Sequence, residues 1–143
     1  MKEILYKNNK IEIRKSQIHG YGVFAKNDIE KGEILEECGF IKIKGNLKQD
    51  SLGRLNDYLF KYPPAYKKIT EPYCEINPIN SFVAMVFGFA GYYNTSFSKQ
   101  ERNAFWKINY NDDIFVFYAE KDINKDQEIH VYYGDVWLKQ RKL

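Results

Sequence analysis

A mostly β domain of the α+β type is the fold this chain predicts, and three features predict it. Short segments rich in β-branched and aromatic residues recur along its length. Turn signals separate them at roughly 8–12-residue intervals. Helical periodicity is scarce. The 143 residues suit one domain, 1–143, and suffice to bury a core without metal or disulfide staples.

The elements follow in order. Ile11-Glu12-Ile13-Arg14 alternates apolar and polar, a short strand. A turn at Gly20 and Gly22 leads into the strand Val23-Phe24-Ala25. After the polar turn at residues 27–33, Ile34-Leu35-Glu36-Glu37-Cys38 and Phe40-Ile41-Lys42-Ile43 read as strands. Residues 44–80 hold all four prolines and read as a loop-rich insert, with short strands at 55–61 and 73–76. Ser81 is placed to cap a helix running to about Ala90. Residues 105–108 and 114–119 form a hairpin around the turn Asn111-Asp112-Asp113. Asn124-Lys125-Asp126 is a further turn, and residues 128–133 form a last strand. A short basic tail, 135–143, closes the chain, with helical character from Trp137.

Bulk properties exclude several classes. A net charge of +3, with basic residues scattered among acids, is a weak hint of an acidic partner and far too little to claim nucleic-acid binding. The apolar run from Phe82 to Tyr93 is too short to span a bilayer and is broken by Gly88 and Gly91. No apolar signal core precedes Lys10. Cys38 and Cys74 with His19 and His130 lack zinc-ligand spacing, so no metal is expected and the thiols read as free. These points favour a cytoplasmic location, or a nuclear one in a eukaryotic host, and no membrane partner.

Three short stretches carry chemistry, each with two readings. Gly20-Tyr21-Gly22 is either a tight turn between strands or a turn whose backbone approaches a ligand. It is no dinucleotide loop, because no third glycine follows at the needed spacing. Asn94-Thr95-Ser96 is either a turn or an amide-bearing ligand site. Tyr132-Tyr133-Gly134 is either core and surface packing or a reactive strand end.

Their order decides between these readings. Gly20 to Ala25 is followed by Ile29-Glu30-Lys31-Gly32-Glu33, then Tyr58-Leu59-Phe60, Asn94-Thr95-Ser96 and Asn103-Ala104. The run from Ala119 through Asp122-Ile123 and Glu128-Ile129 to Tyr133-Gly134 closes the set. This series resembles the SET domain of protein-lysine methyltransferases over residues 11–138, and most of all the short bacterial and viral forms. There are three departures. Thr95 stands where the family has His, the stretch from Ser96 to Asn103 is longer and lacks a proline, and Asp126 replaces a turn glycine.

The resemblance implies a fold of several small twisted sheets, one short buried helix and a pseudoknot-like crossing near the C-terminus. It implies S-adenosylmethionine as cofactor, held by Gly20, Tyr21, Gly22, Asn94 and Thr95. Tyr133 is the implied catalytic residue. Tyr58 lines the implied lysine channel, and Trp106 lies near the position that limits methyl number. The implied partner is a protein presenting a lysine, histone-like proteins among the candidates. Free lysine has a pKa of about 10.4, so a poorly solvated channel and a nearby sulfonium would be needed to neutralise it. Two alternatives stay open: a SET-like binding module weakened at Thr95, and methylation of a small amine.

Overall fold

The computed structural model describes residues 1–44, 53–63 and 82–140. Its strands are β1 (Ile11–Lys15), β2 (Tyr21–Ala25), β3 (Ile34–Cys38), β4 (Phe40–Lys44) and β5 (Leu59–Tyr62). They continue as β6 (Phe82–Val86), β7 (Asn94–Thr95), β8 (Ala104–Asn109), β9 (Ile114–Ala119) and β10 (Glu128–Val131). One helix, α1 (Asp135–Gln140), follows.

Among the described residues the strands form three small sheets, ordered β1-β2-β10-β7, β3-β9-β8 and β4-β6-β5. In the first sheet Ile129 pairs with Val23, and Val131 runs parallel to Thr95. Alternation along β10 buries Ile129 and Val131 completely and turns Glu128 and His130 to the other face. The second sheet supplies the aromatic core. Its middle strand β9 is buried on both faces through Phe115, Val116 and Phe117, so it reads as an apolar run rather than an alternation. Phe60 from β5 meets Phe117, Phe115 and Trp106 edge-on at 5.7–5.8 Å, the geometry that ring quadrupoles favour.

Turns follow the sequence closely. Asn109 Oδ1 accepts from the backbone N–H groups of Asn111 and Asp112, closing the β8–β9 hairpin. Asp126 takes the left-handed φ of 71° at the place of the family's glycine, and Arg14 holds its carboxylate at 2.9 Å.

The C-terminal crossing takes a definite form. Ser96 N–H donates to Val131 O, and Asn103 N–H donates to His130 O. Asn103 also bonds Glu128 O and His130 N–H through its side chain. The segment after β7 is thus fastened to β10 at both of its ends.

The helix expected over residues 81–90 is not formed. Residues 82–86 are β6, the middle strand between β4 and β5, and a short 3₁₀ turn, Ala90–Tyr92, follows. A middle strand packed on both faces is apolar throughout, so its residues do not alternate and mimic a buried helix. Gly88 at φ 77° ends the run. The strand expected at 55–61 begins late: Gly53–Tyr58 is a 3₁₀ turn and β5 starts at Leu59. The strand expected at 73–76, and Cys74 within it, lie outside the described residues. The last strand stops at Val131, short of Tyr133, and the helix starts before Trp137.

Candidate active site

The glycine turn and Asn94 meet at the open face of the first sheet. Gly20 takes φ 50° between β1 and β2, and its carbonyl accepts from Ser16 N–H at 2.8 Å. Parallel pairing of β7 with β10 carries Asn94 to the turn. Its amide donates to His19 O at 3.2 Å, Tyr21 O at 3.3 Å and Glu128 Oε2 at 2.9 Å. Glu128 Oε1 receives the Ser16 hydroxyl at 2.6 Å.

This arrangement explains Gly22. A Cβ there would stand 2.5 Å from Glu128 Oε2 and 3.0 Å from Asn94 Nδ2. The close approach expected at this glycine is therefore made by the protein's own carboxylate and amide. Glu128 joins this cluster as a candidate site residue that the sequence did not single out. Its link to Ser16 spans 112 positions, and only the strand pairing that seats it beside β2 reveals it.

Thr95 and Tyr133 form the next layer inward. The Thr95 hydroxyl is buried, donates to Ser96 O at 2.8 Å and accepts Tyr133 N–H at 3.0 Å. The residue that departs from the family thus anchors the backbone of Tyr133. The Tyr133 hydroxyl donates to Tyr93 O, and its ring packs edge-on against Trp137 at 4.7 Å. Tyr132 is buried, and its hydroxyl donates to Asp135 at the start of α1.

Tyr58 is half-exposed, its ring 3.7 Å from the space beside Gly91, two residues before Tyr93. Trp106 lies elsewhere. It is 1% exposed, packed among Phe60, Phe105 and Phe115, and its indole N–H has no hydrogen-bond partner among the described residues. The structure places it in the aromatic core. His130, on the face of β10 that carries Glu128, has its pKa lowered mainly by desolvation, which favours the neutral imidazole. Among the described residues, no three His, Cys, Asp or Glu side chains gather as a metal would require. No helix among them is long and apolar enough to cross a membrane.

The SET-domain family model matches residues 20–134. The chain belongs to the SET-domain family, and its small sheets with one short helix are that family's fold. A solved structure from Plasmodium falciparum, described as a "putative histone methyltransferase", is similar at 28% identity and TM-score 0.62, covering 91% of this chain and 97% of that one. A humanized mutant of the Chaetomium thermophilum Polycomb Repressive Complex 2, bound to the inhibitor GSK126, is similar at 26% identity and TM-score 0.57. That match covers 87% of this chain and 15% of the other. The search of curated proteins gave no match. Family and neighbours support lysine methyl transfer as the general chemistry of this fold.

Proposed function

We propose that this chain moves a methyl group from S-adenosylmethionine to a lysine side chain of a protein, with histone-like proteins among the candidate substrates. The observation that carries this reading is the placement of Tyr133. Its hydroxyl is tethered to the Tyr93 carbonyl and its backbone to Thr95, whose neighbour Asn94 holds the glycine turn.

The turn suits a cationic cofactor. The His19 and Tyr21 carbonyls and the Glu128 carboxylate give it an electronegative edge, with Tyr21 61% exposed beside them. Gly20, Tyr21, Gly22, Asn94 and Thr95 would hold S-adenosylmethionine there. When bound, it supplies an electrophilic methyl on a sulfonium. The chain's own residues do the rest. Because the Tyr133 proton is committed to Tyr93 O, its oxygen is left as an acceptor for an amine N–H and for partial positive charge. Half-buried aromatic rings at Tyr133 and Trp137 exclude water, which lowers the amine pKa and favours the neutral nucleophile. Tyr58 would line the approach of the lysine. Positioning then supplies much of the acceleration. The geometry supports a packing role for Trp106.

The second reading, a module that binds without catalysis, rests on Thr95. The two hydrogen bonds of its hydroxyl argue against a weakened site. The experiment is a labelled-methyl assay over proteins of the host, paired with calorimetric titration of S-adenosylmethionine. Label in methyl-lysine with one cofactor per chain is the expected result. Binding without label in any protein supports the binding module instead.

A further inference from the structure

A buried carboxylate lies behind this site, and the mechanism above does not use it. Glu36 is 2% exposed. The register between β3 and β9 shifts between Ile34 and Glu36, so Leu35 and Glu36 both turn inward where a regular strand would alternate. A bulge is a common way to re-aim one side chain. Here it places a carboxylate among three donors: the Cys38 thiol at 2.7 Å, Phe89 N–H at 2.8 Å and the Tyr93 hydroxyl at 3.2 Å.

Two of these bonds bracket one structure. Phe89 opens the 3₁₀ turn Ala90–Tyr92, and Tyr93 leaves it. A single carboxylate therefore pins both ends of that turn. The Tyr93 ring is also stacked on Phe117 at 4.7 Å, so its side chain is held along its face and at its tip. Gly88 must be a glycine for the same reason, since a Cβ there would lie 2.6 Å from Glu36 Oε1. The Lys7 ammonium sits 3.7 Å over the Phe89 ring and lends the carboxylate a nearby positive charge. The pinned turn carries two features of the site: Gly91 beside Tyr58, and the Tyr93 carbonyl that receives the Tyr133 hydroxyl.

We propose that Glu36 is a positioning residue for methyl transfer, fixing the Phe89–Tyr93 turn and through the Tyr93 carbonyl the direction of the Tyr133 hydroxyl. This rests on the reading of Tyr133 as the transfer-point residue. Burial outweighs the three donors and raises the Glu36 pKa, in keeping with a carboxylate retained inside for its bonds rather than its solubility. A group acting this way affects rate more than cofactor affinity, since it touches neither reactant.

The test uses the full chain and two variants, Glu36→Gln and Tyr93→Phe. The second keeps the stacked ring and removes only the hydroxyl. Two readouts are taken: kcat and KM for S-adenosylmethionine, and the ¹³Cζ resonance of Tyr133, assigned with Tyr133→Phe. Each variant is expected to lower kcat on the order of tenfold with KM changed less than twofold, and to shift the Tyr133 resonance. The double variant should be no slower than the slower single one, because the two groups act in one chain of contacts. Should Glu36→Gln fail to fold, Tyr93→Phe alone decides. An unmoved resonance with wild-type kcat in the folded variants overturns the proposal. If the wild type transfers no methyl at all, the proposed function falls, and the resonance still decides the positioning: a shift supports it and none overturns it.

Discussion

Tyr133 and Trp106 are both large aromatic side chains packed against the same core, yet they are held in opposite ways. Tyr133 is half-buried two residues beyond β10, with its hydroxyl and its backbone N–H each bonded to the segment around β7. Trp106 is 1% exposed on β8 and surrounded by rings, and its indole N–H has no hydrogen-bond partner among the described residues. One side chain is oriented by directional bonds, the other by shape. Directional bonds matter where charge must be met at a particular point, and close packing matters where volume must be filled. Family resemblance pointed to both residues. Contact geometry separates them.

The largest effect should therefore be on stability, at Trp106. Trp106→Ala removes the partner of three rings and should lower unfolding free energy by about 3–5 kcal/mol. Urea denaturation measures it. A loss below about 1 kcal/mol would contradict a packing role for Trp106.

A smaller effect should appear at the polar end. Gly22→Val drives a branched side chain into Glu128 and Asn94. S-adenosylmethionine binding should fall at least about tenfold, or about 1.4 kcal/mol, by calorimetry. Glu128 sharpens this test. If its carboxylate is the obstacle, Gly22→Ala should be better tolerated in a Glu128→Ala background than in the wild type. Equal penalties in both backgrounds would show that the obstacle is something other than Glu128.

The smallest effect concerns pH. Glu33 accepts from Glu30 N–H at 2.6 Å and from Lys10 at 2.9 Å, and these hold its pKa below the ordinary carboxylate value. Its contribution is present above the unfolded value of about 4.3 and is lost as pH falls through the lower folded value. The pair is partly solvated, so Glu33→Gln should cost less than about 1 kcal/mol at pH 7. It should also flatten the acid side of the stability curve. An acid limb as steep as that of the wild type would contradict this.

Much of the fold was legible because local chemistry agreed with global structure. The Asn109–Asp113 hairpin and the turn at Asp126 form where side chains favour them. Gly20, Asn94, Thr95 and Tyr133 were singled out because their order along the chain is a pattern in itself. β6 was misread because a strand packed on both faces loses its alternation. Glu128 and Glu36 went unread as site residues for a different reason. One meets Ser16 and the other Tyr93 across long stretches of chain, and a bulge that turns a carboxylate inward leaves no periodic trace.

The central claim is that one tethered hydroxyl, on Tyr133, marks the point of methyl transfer. Tyr133→Phe keeps the ring against Trp137 and removes only that oxygen, so packing should change little. Methyl transfer to lysine, followed with labelled S-adenosylmethionine, should fall on the order of 10²-fold while calorimetric cofactor binding stays near the wild-type value. Tyr132→Phe, which loses its bond to Asp135, should retain the wild-type rate. Wild-type transfer by Tyr133→Phe would make this tyrosine a packing residue and contradict the account.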